Sequence, residues 1–191
     1  KTLRYGENPY QIGAIYSNDE NFNISSLQGK DLSFNNYNDI FASLNLSKKL
    51  PKNKGVVIVK HANPSGVSIE KNHLKSFLSA RNCDPVSAFG GVVTCNFKMS
   101  IKIAKEIVKN FYEVVIANGY DRSALKVLKN KKNLRLIDSS KFNFSEILKF
   151  NSANDNILLQ SEDKKIFTKK DFKVVSKKKP TKKQFDDLIF A

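Results

Sequence analysis

Cysteine is nearly absent from this chain: Cys83 and Cys95 are the only two in 191 residues. They form no C-x-x-C, so neither a disulfide scaffold nor a zinc knuckle is expected, and reduced thiols in a cytoplasm are the plain expectation. Long apolar runs are missing too. No stretch approaches the ~20 residues a membrane span needs, and the N-terminus shows no signal-peptide pattern. There is no P-loop, no G-x-G-x-x-G and no G-x-S-x-G, so these routes to phosphate binding and acyl transfer have no support. The H-x-E…P-C-x-x-C set of zinc deaminases is also missing, and no metal is expected.

Acidic residues are few, 18 against 33 Lys and Arg, leaving a net charge of +15. Such a balance raises nucleic acid, membrane surfaces and phosphorylated substrates as partners. The excess is mostly Lys, in clusters amid many Asn and Ile, which is the drift of an AT-rich coding sequence and makes much of it a solvated surface. No RNP, KH or helix-turn-helix signature occurs, and the aromatics are not interleaved with Arg. A basic nucleic-acid-binding module stays as the alternative reading, with binding that is non-specific if it occurs at all.

What is present is alternation. With 40% hydrophobic residues the chain can bury one sizeable core or two small lobes. Strands are predicted at 56–60, 91–96, 113–117 and 134–138, and helices at 71–80, from Ser100 to Phe111 and at 122–130. That order argues for a layered α/β/α domain with one main sheet. Asp39 is expected to cap a helix through Leu50, and residues 1–38 read as irregular. Further strands are expected at 157–160 and 172–175 within a lysine-rich stretch, and no internal boundary shows. The run from Pro180 through Thr181 to Gln184 has the form of a capping box. Phe185, Leu188 and Ile189 then open an apolar stripe that the chain leaves short at Ala191, so a piece of something longer is expected.

Four clusters carry polar chemistry. In 4-RYGENPYQ-11 an Arg fork suited to phosphate sits beside Gly and Pro, though on the residues alone an ordinary N-terminal loop is the favoured explanation. In 60-KHANPSG-66 a buried strand ends on Lys60 and His61. Imidazole is the group best matched to proton transfer near neutrality, and an ammonium can support developing negative charge. Pro64 and Gly66 are read as the break that lets both reach one site. A satisfied, half-buried His beside a surface Lys is the alternative. In 84-DPVSAFGG-91 two glycines allow close backbone approach or simply make a turn. In 113-EVVIANGYD-121, Glu113 can bind a polar group or start a solvated strand. His73 reads as a surface helix residue.

Taken together, RYGENPYQ, 29-GKDLSFNNYND-39, IVKHANPSG, DPVSAFGG, EVVIAN and VVSKKKPT…DDLIFA resemble the transformylase domain of the AICAR transformylase/IMP cyclohydrolase bienzymes, from residue 1 to residue 191. The resemblance implies the first of two cytidine-deaminase-like lobes without the deaminase zinc, with a mixed sheet, and the start of the crossover into the second. The hydrolase half, IMP cyclohydrolase, and the second lobe are not expected in this stretch. It also implies formyl transfer from 10-formyltetrahydrofolate to the amine of 5-aminoimidazole-4-carboxamide ribonucleotide in purine biosynthesis. A cytoplasmic homodimer is expected of the full-length enzyme. By motif, His61 falls on the family's proton acceptor and Lys60 on its transition-state stabiliser. Arg4, Tyr5 and Gly90 fall on nucleotide contacts, as does Glu113 where some members have Asp. Phe89 is expected beside the folate and Asn36 near the active site. Tyr10 and Ser65 depart from the usual His and from a common Cys.

Overall fold

A computed structural model describes residues 1–17, 24, 26–142 and 148–191 and divides the chain into two compact units, Lys1–Phe142 and Asn143–Ala191. The division is invisible in the sequence because no Pro- or Gly-rich stretch marks it. Parts of the irregular start, and positions 143–147 of the lysine-rich stretch, lie outside the described residues.

The first unit is built on a five-stranded mixed sheet. Its strands are β1 (Gly55–Lys60), β2 (Asn63–Ile69), β3 (Val92–Cys95), β4 (Val114–Ala117) and β5 (Arg135–Asp138), in the order β2-β1-β3-β4-β5. β1 pairs antiparallel with β2 and β3, while β3, β4 and β5 are parallel. Helices cover both faces, which is why the central strands read as unbroken apolar runs rather than alternations. On one face Val56, Ile58, Val93, Cys95, Val115 and Leu136 share a buried cluster with three helices. These are α2 (His73–Cys83), α3 (Ile101–Ile107) and α4 (Arg122–Leu128), which contribute Phe77, Ile103 and Leu128 among others. On the other face lies α1 (Phe34–Lys49), where Ser43 hydrogen-bonds Thr94 of β3 at 2.8 Å. The layered α/β/α expectation therefore stands.

Several local expectations are corrected. The capping residue of α1 is Ser33, not Asp39: its hydroxyl accepts from the Asn36 N–H while Asn36 Oδ1 accepts from the Ser33 N–H. Asn fills the place that Glu or Gln usually holds in such a box, so the start is easily missed. Residues 63–66 are not a break but the start of β2. Pro64 is tolerated there because β2 is an edge strand. Gly66 is required by α2, since a Cβ at that position would lie 1.9 Å from the Ala80 carbonyl oxygen. α3 stops at Ile107, where Lys109 and Asn110 tighten the chain with bonds to Glu106 and Ile107 carbonyls. His73 is half-buried, its ring stacked on Phe97 at 3.9 Å and its Nε2 2.7 Å from the Asn53 carbonyl. At the far edge, the Leu27 N–H donates to the Leu136 carbonyl of β5 at 2.7 Å, and Gln28 forms a bridge with the same residue.

The second unit holds the antiparallel hairpin β6 (Lys149–Ala153) and β7 (Asn156–Gln160), a 3-10 turn at Lys169–Asp171 and the helix α5 (Lys182–Phe190). The capping box at Thr181 and Gln184 is formed as the sequence suggests. Residues 172–175 do not form the expected strand: the apolar side chains are there, but among the described residues no strand pairs with them. No described residue of this unit is buried.

Candidate active site at the sheet rim

β1 runs toward the rim at which β3 and β4 begin. Val59 pairs with Val92, and Val92 with Val114, so the residues just beyond them meet at one edge. This is the rim opposite the strand carboxyl ends of β3–β5, where open parallel sheets usually bind ligands.

The turn between β1 and β2 is made of His61 and Ala62, with φ of 53° and 58°. Both residues are left-handed, the geometry that tight hairpins require and that Asn-Gly satisfies with little strain. Here His61 is a side chain found in that region more often than most, whereas Ala62 is not suited to it. What holds the turn is Asp39, whose Oδ1 accepts from the Ala62 N–H at 2.6 Å, with Asn63 Nδ2 donating to the His61 carbonyl at 2.9 Å. The imidazole of His61 is left exposed. Beside it Lys60 Nζ donates to the Phe89 carbonyl at 2.8 Å, which fixes the ammonium against the loop before β3.

That loop is itself ordered by polar contacts. Asp84 accepts from the Ser87 hydroxyl at 2.6 Å and from its N–H at 2.9 Å, which together hold its carboxyl below the usual carboxylate range. Gly90 has φ +74°, so any other residue would be strained, and its N–H donates to the Phe111 carbonyl at 2.9 Å. The rings of Phe89 and Phe111 lie 5.2 Å apart. Glu113 follows, its Oε2 accepting from Asn36 Nδ2 at 2.8 Å and lying 4.0 Å from Arg135 Nη1. Asn36 is buried, and its carboxamide caps α1 and holds Glu113 at once.

The structure thus brings Lys60, His61, Phe89, Gly90, Glu113 and Asn36 to one rim. Arg4 and Tyr5 stand apart from that chain of bonds: the Arg4 guanidinium lies 4.7 Å over the Tyr5 ring and donates to its hydroxyl at 2.9 Å. Their loop is tied to the start of α1 by Asn35 Nδ2, which donates to the Glu7 carbonyl at 3.1 Å. Two residues were missed by sequence reasoning, Asp39 and Arg135. Arg135 Nε also donates to the Lys30 and Asp31 carbonyls, anchoring the 29-GKD-31 segment. Only its position at the head of a strand opposite Glu113 hinted at this. Cys95 is buried, with its thiol pushed up to about 12, and Cys83 is exposed. Among the described residues no group of His, Cys, Asp and Glu is placed to hold a metal, and no helix is long and apolar enough to cross a membrane.

An α/β lobe with an imidazole, an ammonium and a glycine turn on one rim defines a class, and comparison with known proteins gives its family. The chain belongs to the AICARFT/IMPCHase bienzyme family, whose model matches residues 1–191. Among its relatives are two proteins named bifunctional purine biosynthesis protein PurH, from Aquifex aeolicus and Leptospira biflexa. Each is 43% identical over 99% of this chain. A third, from a Thermoanaerobacter species, is 40% identical. The chain spans about 37% of the length of the first two relatives.

Proposed function

We propose that this chain is the first lobe of an AICAR transformylase domain and carries its acid/base pair, in a cytoplasmic enzyme of purine biosynthesis. The reaction moves a formyl group from 10-formyltetrahydrofolate to the amine of 5-aminoimidazole-4-carboxamide ribonucleotide. The observation that carries this reading is the His61–Ala62 turn. Strained backbone persists where the surrounding structure over-determines it, and it clusters at sites of chemistry.

The amine is conjugated into the imidazole carboxamide and is a weak nucleophile. As its nitrogen forms a bond to the formyl carbon, His61 takes the amine proton and Lys60 supports the oxyanion. One Lys60 N–H is held by the Phe89 carbonyl, leaving two for that oxygen. The bond from the formyl carbon to the folate N10 then breaks, N10 takes a proton, and tetrahydrofolate leaves. Arg4, Tyr5, Gly90, Glu113 and Asn36 bind the nucleotide, and Phe89 lies beside the folate. Positioning of this kind is worth up to about 7–11 kcal/mol of barrier, so a lobe without the rest of the site is expected to be inactive alone. The second lobe and a partner subunit complete the site in a homodimer.

The test is formyl transfer by the intact protein that contains this chain, followed as tetrahydrofolate release. Transfer by the wild type and its loss in His61→Ala are expected; a wild type without activity overturns the reading.

A further inference from the structure

On the α3–α4 side of the same rim lies a cleft of about 320 Å³, a volume at the lower end of small-molecule sites. Its floor is apolar: Ile107, Tyr112 and Leu134 line it and all three are buried. One wall is Phe111, the ring that meets Phe89. Its remaining lining is cationic and amide: Lys131 and Lys132 with Asn110, Asn130 and Asn133. Among the described residues no acidic residue lines it. The nearby carboxylates are engaged elsewhere, Glu106 with Lys109 at 2.6 Å and Glu113 with Asn36.

Surface lysines just past a helix C-terminus often serve the helix itself, bonding its last carbonyls. These two do not. The Leu128, Lys131 and Leu134 carbonyls take the side-chain amide of Gln28, and the Lys131 and Leu134 N–H groups bond Leu128 and Lys131. The ammonium groups of Lys131 and Lys132 are left without a partner among the described residues, above an apolar floor with an aromatic wall.

We propose that this cleft binds a planar aromatic carboxylate, its ring on the apolar floor beside Phe111 and its carboxylates on Lys131 and Lys132. Two sources offer that chemistry: the aminobenzoyl-glutamate end of a folate, reaching past the Phe89–Phe111 pair, or a free aryl carboxylate. Assigning the folate end rests on the formyl-transfer reading, whereas the chemistry of the cleft does not.

The test is calorimetric titration of the intact protein with p-aminobenzoyl-L-glutamate and, separately, with benzoate. Saturable binding is expected, weakened at least tenfold in the Lys131→Ala/Lys132→Ala double variant and unchanged in Lys129→Ala, whose side chain does not line the cleft. Tighter binding of p-aminobenzoyl-L-glutamate than of benzoate supports the folate end, and equal binding supports the free carboxylate. The same double variant is expected to raise the KM for the formyl donor with kcat unchanged if the folate end is the ligand. An affinity for both probes that is unaltered by the double variant, with its fold checked by circular dichroism, overturns the proposal. That result leaves formyl transfer by the wild type untouched, so the two readings fail separately.

Discussion

Among the described residues two antiparallel hairpins occur, and they turn their corners with different residues. β6–β7 turns at Asn154 and Asp155, with Asn154 at φ 53°. Asn is among the side chains that enter the left-handed region at least cost. β1–β2 turns at His61 and Ala62, both left-handed, and Ala62 has no side chain that favours that region. The strands differ in the same sense. β6 and β7 bury nothing, whereas β1 is buried along nearly its whole length and covered by helices on both faces. Strain is placed where the structure can hold it, at the turn that leaves the His61 imidazole exposed. In the lightly held hairpin the turn residues simply suit the turn.

The largest effect expected from breaking this contrast is on turnover. In the intact protein His61→Ala should lower kcat by roughly 10²–10⁴, the usual range for a lost general acid or base. Lys60→Met should lower it less, with little change in nucleotide affinity. Near-normal rates in both variants would remove the pair from the mechanism.

The support beneath the turn comes next. Asp39→Ala removes a charged acceptor from the Ala62 N–H and should cost about 2 kcal/mol in urea unfolding. A change below about 0.5 kcal/mol would mean that the turn is held by other contacts. Making the strained turn resemble the relaxed one sharpens the comparison further. His61→Asn with Ala62→Gly should raise stability by about 1–2 kcal/mol while abolishing formyl transfer. A double variant less stable than the wild type would refute the account of strain.

Alkaline pH should act on the first unit. The Cys95 thiol, ordinarily at 9.0, is pushed up to about 12 by burial. Tyr120, Tyr112 and Tyr37 are raised by burial as well. The folded state therefore keeps protons that the unfolded chain releases. The stability they contribute is full below about pH 9 and is lost as the pH climbs toward 12. In the second unit the resolved shifts run the other way, with Asp171 and Asp186 lowered by hydrogen bonds from Thr168 and Lys169. Melting temperatures that stay flat from about pH 8 to about pH 11 would contradict this. The smallest effect belongs to the relaxed turn. Asn154→Gly should shift stability by less than about 0.5 kcal/mol, and a larger change would show that this turn is not the unstrained partner of the pair.

The buried strands were legible because helices on both faces demand continuous apolar runs, as in VVIV and EVVIA. β2 was not, since a Pro and a Gly inside one short segment read locally as a break. Only the edge position of β2 and the pressing of α2 on Gly66 explain them. β6 was missed for a different reason: KFNSA buries neither face and carries no period to read. At the site, Lys60 and His61 stood out as polar residues ending an apolar strand. Asp39 and Arg135 act through partners 23 and 105 positions away in sequence, at Ala62 and Lys30, and no local pattern encodes such a distance.

Pro64 and the segment at Leu27 and Gln28 sit at the two borders of the main sheet, and together they bear on how this protein can associate. A sheet border with a full row of free amides invites a strand from another molecule, the route by which native proteins aggregate. At β2, Pro64 has no amide to offer, and the ladder with β1 slips between Ile58 and Val59. Just past β2 the Glu70 N–H is already taken by Ser76 Oγ at 2.8 Å. At β5, the Leu27 N–H occupies the Leu136 carbonyl. Both borders are interrupted, so copies of this unit should meet through side-chain surfaces and leave the sheet at five strands.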